Sequence, residues 1–183
     1  MAEVPQRDVV DVLVAQHAEI RALFNRIAVT QGEAKRELFH DLVRLLAVHE
    51  SAEEQIVHPA ARSALGDGGD RVVKARLDEE AAAKRALSAL YDLGVDHPAF
   101  NERLALFAEE VVVHAALEEA EEFAELRRTT DPDTLRRMAD VFIAAEQLAP
   151  TRPHPAAGES ALVNMLAGPP AAVFDKIRDA LRR

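Results

Sequence analysis

Apolar residues recur every three or four positions over four long stretches of the chain, the spacing that places them on one face of an α-helix. Glycine and proline mark the breaks, near Gly32, at residues 66–69 and at residues 94–98. Four such helices joined by short loops predict an all-α, up-down-up-down four-helix bundle. The predicted helices cover residues 8–29, 33–64, 70–93 and 100–128.

The pattern beyond the bundle is weaker and more often interrupted. A fifth helix is predicted over residues 134–148 and a short sixth over residues 170–181, with a proline-rich segment at residues 149–155 between them. We therefore expect a bundle domain at residues 1–130 and a C-terminal helical extension at residues 131–183 that packs on it.

The same polar motif occurs in the middle of two of these helices. His49 is followed four residues later by Glu53, and His114 is followed in the same way by Glu118. Positions i and i+4 lie on one side of a helix, so each motif points one imidazole and one carboxylate in the same direction. Two such helices facing each other would form a metal site.

The other two helices also carry an ionisable residue on the apolar face. A single inward histidine is more often a hydrogen-bonded core residue than a ligand. Six inward ionisable groups are harder to explain, because each buried charge costs about several kcal/mol and a whole domain has only about 5–15 kcal/mol of net stability. A pair of divalent or trivalent cations would compensate all of them, as in bundles that build dinuclear carboxylate sites. The six residues are His17, His49, Glu53, Glu80, His114 and Glu118.

The composition limits which atoms could bind a metal and which kinds of partner the protein could have. The 183 residues include no cysteine, so nitrogen and oxygen must hold any metal. The net charge of -10, with basic residues scattered among acids, disfavours nucleic acid as a partner. The chain has neither a secretory signal pattern nor a run of apolar residues long enough to span a membrane. We expect a cytoplasmic protein with no membrane partner, a monomer or weak homo-oligomer.

These residues resemble the hemerythrin family, specifically the bacterial hemerythrin-like HHE cation-binding domains. The resemblance spans roughly residues 8–126. The matching segments are residues 13–17, residues 21–24, residues 49–54 with the following Pro59, and residues 114–119 with the following Phe123.

The resemblance implies a non-haem di-iron centre bridged by oxo or hydroxo groups, although manganese or zinc could use the same donors. It makes Glu53 and Glu118 the bridging carboxylates, and His17, His49 and His114 the terminal ligands. Small ligands such as O2, peroxide or NO would bind there.

Four further residues bear on this ligand set. Glu119 rivals Glu118 for the second bridge, and Glu50 is a further candidate ligand. His58, where family members commonly have tyrosine, is predicted either to support the ligands or to pack at a helix end. Tyr91 could approach the site from the third helix, although core packing is the commoner role for such a residue.

Glu80 is the main departure from the family pattern, which has a histidine on the third helix. An added carboxylate should favour the ferric state and lower the reduction potential. We therefore expect oxygen or peroxide chemistry of a catalase-like, peroxidase-like or oxygenase kind, not reversible oxygen carriage. The alternatives are a non-catalytic iron or oxygen sensor, and an oxygenase acting on a small organic metabolite, which would need a cavity beside the metals.

Overall fold

The fold is seen in a computed structural model that describes residues 7–148. The described residues form helices and turns without a strand, which confirms the predicted helical bundle. Helix α1 packs against α2 and α5, and α4 packs against α5. In chain order the helices are α1 (Val9–Val29), α2 (Gly32–Ala52), α3 (His58–Ala64), α4 (Gly69–Leu93), α5 (Phe100–Leu117), α6 (Ala124–Thr129) and α7 (Pro132–Leu148).

Two of the four bundle helices contain a π-helical turn. The second runs from α2 through a π-helical turn (Glu53–Val57) into α3, and the fourth runs from α5 through another (Glu118–Phe123) into α6. The helix continues through Pro59, which occupies the first turn of α3, where a missing backbone N–H is tolerated. A π-helical turn lies just before the proline.

The helix ends follow from local chemistry. Asp8 caps α1 by accepting a hydrogen bond from the backbone N–H of Asp11, and Arg127 pairs with Asp8 at 3.0 Å, which ties the end of α6 to the start of α1. At the corner between α3 and α4, a Cβ on Gly69 would lie 2.2 Å from the carbonyl oxygen of Arg62. Only glycine fits so tight a corner.

Two apolar clusters form the core, with a polar layer between them. The Phe100 cluster includes Phe39, Phe100 and Phe107, and the Phe123 cluster includes Leu13, Phe123 and Phe142. On α1 the sequence passes from Leu13 in one cluster to Ile20 in the other, and His17 lies between them. The predicted inward ionisable residues therefore lie where the two clusters meet.

Helix α7 lies outside the bundle and packs on α1 and α2. Its Leu135, Met138 and Phe142 are buried, as the predicted apolar face requires. The predicted helix at residues 170–181 falls outside the described residues, and the division into bundle and extension stays a prediction. Within residues 7–148, no helix has the length and apolar character needed to cross a membrane.

Candidate metal centre

All six predicted inward residues come together in the polar layer. Their donor atoms form two groups, and within each group the atoms lie within 4.8 Å of one another. Two of the glutamates belong to both groups, so two cations held there would share two carboxylates. The first donor group is His17, His49, Glu53 and Glu118; the second donor group is Glu53, Glu80, His114 and Glu118.

The spacing of the donor atoms fits cation binding. His17 Nε2 lies 3.1 Å from His49 Nε2, and His49 Nε2 lies 3.3 Å from Glu53 Oε2. Glu118 Oε2 lies 3.5 Å from His17 Nε2, and its Oε1 lies 3.1 Å from His114 Nε2. Ligand atoms about 2.1 Å from one ion, at angles of roughly 90–110°, are about 3.0–3.4 Å apart. Three of the four distances fall in that range, and the distance of 3.5 Å between Glu118 Oε2 and His17 Nε2 lies just above it.

Each of the three histidines has a hydrogen-bond acceptor at Nδ1, the ring nitrogen that points away from the donor groups. An acceptor at Nδ1 fixes the proton there and leaves the Nε2 lone pair free to bind a metal. The three acceptors therefore orient the rings and hold a proton at Nδ1, as ligation through Nε2 requires. The acceptors are Gln16 Oε1 for His49 (2.7 Å), Glu119 Oε1 for His17 (2.8 Å) and Glu79 Oε2 for His114 (2.8 Å).

The two donor groups differ in protonation. Burial, together with nearby His17, lowers the pKa of His49 to about 3, so this imidazole is neutral at pH 7. Burial acts in the same direction on His114, but Glu118 and Glu79 outweigh it and raise its pKa to about 9. A cation in the second donor group must therefore displace a proton from His114.

The carboxylates fit a cation because histidines lie close to them but hydrogen bonds satisfy few of their oxygen atoms. Burial raises the pKa of Glu53 well above its usual range, and Glu118 and Glu80 add to the effect. Buried oxygen and imidazole nitrogen donors suit iron, manganese or zinc. Within the described residues, seven buried oxygen atoms on five glutamates have no hydrogen-bond partner: Glu50 Oε2, Glu53 Oε1 and Oε2, Glu80 Oε2, Glu118 Oε1 and Oε2, and Glu122 Oε1.

The two candidates for the second bridge, Glu118 and Glu119, lie in different positions. Glu118 is fully buried and belongs to both donor groups. Glu119 is one-third exposed and accepts the hydrogen bond from His17 Nδ1, so it faces the outer side of that ring. Glu50 lies outside both groups although it is buried, and burial with the nearby charge of Glu80 raises its pKa to about 8.

His58 supports the second donor group from outside. Its Nε2 lies 2.5 Å from Glu80 Oε1, and its Nδ1 lies 2.8 Å from Glu122 Oε2. Burial opposes the charged ring, but the bonds to Glu122 and Glu80 raise the pKa of His58 to about 10. The resulting imidazolium offsets part of the negative charge that Glu80 adds.

Some contacts depart from the sequence pattern. Glu122 belongs to a run of acids, a pattern that usually marks a solvated helix face, yet it is fully buried against His58. Tyr91 packs its ring on Phe39 and His40, beside the Phe100 cluster, so its described contacts give it no role at the site. Gln16 and Glu79 were not among the predicted site residues. The only signal in the sequence was that each directly precedes a predicted ligand, His17 or Glu80.

Comparison with known proteins places this site in a family. The family model for the hemerythrin HHE cation binding domain matches residues 8–126. A DNA nickase from a Nostoc species is 28% identical over 137 residues, which are 74% of this chain and 38% of the nickase. An uncharacterized hemerythrin-like protein from Schizosaccharomyces pombe is 23% identical over 174 residues, 94% of this chain and 86% of that protein.

A solved structure shows the same fold. The crystal structure of a hemerythrin HHE cation binding domain-containing protein from Mycobacterium kansasii matches with a TM-score of 0.71 and 21% identity, over 87% of this chain and 99% of that one. Because the family model covers well over half of the sequence, the chain belongs to the hemerythrin HHE cation-binding domain family, whose members are metal-binding helical domains.

Proposed function

We propose that the polar layer binds two iron ions and that the protein uses them to bind or react with O2 or peroxide. The observation that carries this proposal is the sharing of Glu53 and Glu118 by two adjacent donor groups. The iron pair would supply Lewis acidity and redox equivalents. The protein supplies oriented donors and an interior that excludes most water.

The space beside the histidines favours a small ligand. A cavity of about 10 Å³ touches His17, His49 and His114, and Ile20 and Val111 form part of its apolar wall. A cavity of this size holds about one water molecule. It suits a diatomic molecule or peroxide, whereas an organic metabolite would have to lie in the separate, larger pocket that borders Glu50 and His114.

Glu50 is the side chain placed to move a proton. It borders the same cavity, it is 6% exposed, and its Oε2 has no hydrogen-bond partner within the described residues. A carboxyl group in that position can donate a proton to a bound oxygen ligand or accept one from it. His58 does not line this cavity and bonds instead to Glu80.

The test combines metal analysis with reactivity. Reconstituted protein should contain two iron ions per chain and absorb in the visible region, and Glu53→Gln should lose most of the iron. His97→Gln, which changes an exposed histidine in a turn, is the matched control. The reduced protein should then consume O2 or peroxide. A wild-type protein that binds no iron after reconstitution would refute the proposal.

A sensor is the second candidate, and one contact favours it. Phe142 of α7 is fully buried, and its ring meets that of His49 at 6.4 Å between centroids. A change in ligation at His49 would therefore act directly on α7. Limited proteolysis of metal-free and metal-loaded protein tests this idea: a sensor should change its cleavage near α7 on metal loading, whereas an identical cleavage pattern would exclude it.

The nicking of DNA is not part of the proposal. This chain aligns with only 38% of the nickase. Its net charge of -10 also opposes binding to a phosphate backbone.

A further inference from the structure

A pocket between α4 and α5 connects the protein surface with the polar layer. Its volume is about 400 Å³. Glu79 of α4 and Glu109 and Glu110 of α5 line it, alanine and valine side chains cover much of the rest, and Glu50 and His114 also border it. Because His114 belongs to the second donor group, the pocket ends at the candidate metal centre.

The charges in this pocket select for a cation. Four glutamates line it, and neither lysine nor arginine does. The raised pKa of Glu50 leaves that carboxyl group largely neutral at pH 7, and the raised pKa of His114 makes that ring cationic, so the excess of negative charge comes from the other three glutamates. Glu109 and Glu110 are exposed, so their charges act at the mouth. A concave surface with one sign of charge raises the local concentration of the opposite ion and speeds its association.

Glu50 links the pocket to the donor groups. It is 6% exposed, and its Oε2 has no hydrogen-bond partner within residues 7–148, so a buried oxygen is left to be satisfied by a ligand. It also borders the small cavity that touches His17, His49 and His114. A cation that reached Glu50 from the pocket would therefore be next to the donor groups.

We propose that this pocket is the route by which divalent cations load the centre. Glu109 and Glu110 attract the hydrated ion to the mouth, and Glu50 binds it transiently before it passes to His114 and Glu118. This inference rests on the proposed metal centre. It assigns Glu50 and the two mouth glutamates a role in the rate of loading.

Rates of metal loading and release distinguish a side chain that contacts the ion only on its way in from one that holds the bound ion. A side chain that stabilises only the ion in transit changes association and dissociation together and leaves the dissociation constant nearly unchanged. A side chain that holds the bound ion changes the dissociation constant. Both quantities are measurable without any turnover of O2 or peroxide.

The experiment mixes metal-free protein with Co²⁺ in a stopped-flow instrument and follows the visible absorbance of the bound ion. The double variant Glu109→Gln/Glu110→Gln removes the charge at the mouth. The control Glu19→Gln/Glu102→Gln makes the same change in net charge at two exposed positions that do not line the pocket.

The mouth variant should load roughly tenfold more slowly than the control at low ionic strength, and the difference should nearly vanish in about 1 M salt. Its dissociation constant should stay within about threefold of the control. Glu50→Gln should slow both loading and chelator-driven release, and it should do so in high salt as well, because its contact with the ion is direct.

Three results would overturn the route. These are loading of the mouth variant at the control rate, an equal effect at all salt concentrations, and a Glu50→Gln protein that loads at the wild-type rate and has weaker affinity only because it releases the ion faster. A wild-type protein that bound neither Co²⁺ nor Fe²⁺ would instead remove the proposed centre itself, so the two failures are distinguishable.

Discussion

Substitution of Gln16 by methionine tests whether the outer hydrogen bonds prepare the histidines for metal. Gln16 is buried, and its Oε1 lies 2.7 Å from His49 Nδ1. Methionine keeps the length of the side chain but cannot hold the Nδ1 proton in place. His49 can then shift its proton to Nε2, the nitrogen that points to the first donor group.

The magnitude follows from the burial of that bond. A buried N–H left without its acceptor costs about 1–3 kcal/mol, so metal-free Gln16→Met should be less stable by that amount. Metal binding strengthens the hydrogen bond that His49 Nδ1–H donates to Gln16. The substitution therefore lowers the stability of the metal-loaded protein more than that of the metal-free protein. Loss of such an outer partner typically weakens metal binding about 10- to 100-fold, which corresponds to about 1.4–2.7 kcal/mol.

The assay is a chelator competition on metal-free protein, with circular dichroism to show that the variant is folded. The control is Gln31→Met, the same chemical change at an exposed position that makes no side-chain capping bond to α2. A folded Gln16→Met protein that binds metal as tightly as the control would show that Gln16 does not prepare His49. The reasoning about the other two Nδ1 acceptors would then be refuted as well.

Three further predictions concern other parts of the same layer. Phe142→Ala removes a fully buried ring and should lower the free energy of unfolding by about 3–5 kcal/mol in urea titrations, and a loss below 1 kcal/mol would contradict its packing. Glu80→His removes one negative charge from the second donor group and should raise the reduction potential of the iron-loaded protein by roughly 100–150 mV, measured by redox titration; an unchanged or lower potential would refute our account of Glu80. Glu53→Gln should lose most of the bound metal and yet stabilise the metal-free protein against heat, because it replaces a buried carboxylate, whose two oxygens have no hydrogen-bond partner within the described residues, with a neutral amide; a lower melting temperature would contradict this.

The sequence was sufficient for the fold and for the six inward residues, because both depend on helical periodicity. Leu13, His17 and Ile20 lie on one face of α1 at spacings of four and three, and all three are buried. The ends of α1 and α4 fall within one residue of the predicted positions. Periodicity is a local property of a helix, so one helix can be interpreted without knowing its neighbours.

The hydrogen bonds around the ligands could not be predicted in this way. Glu79 and Glu119 each sit beside a residue of the inward face, and at those positions a solvated acid is the ordinary expectation. Each reaches a histidine on another helix, Glu79 across to His114 and Glu119 across to His17. Such contacts depend on how the helices are rotated against each other, and that rotation is set by packing across the whole bundle.

The π-helical turns change which residues lie on the inner face beyond each motif, and they also make the two halves of the centre different. In a regular α-helix, a residue five positions after another lies roughly 140° around the axis from it. At Glu53 the chain inserts an extra residue, and the N–H of His58 bonds to the carbonyl oxygen of Glu53 five positions earlier. This turn brings His58 back to the inner face.

The π-helical turn that begins at Glu118 likewise places Phe123, five positions later, on the inner face. Phe123 stacks on His17 with ring centroids 5.7 Å apart, whereas His58 bonds to Glu80. The first donor group thus has two imidazoles and apolar support. The second has one imidazole, an added carboxylate and a cationic histidine behind it. The third bundle helix, α4, offers Glu80 where the resemblance predicted a histidine. His58 lies behind Glu80, where it compensates negative charge and cannot bind the metal directly unless Glu80 releases it.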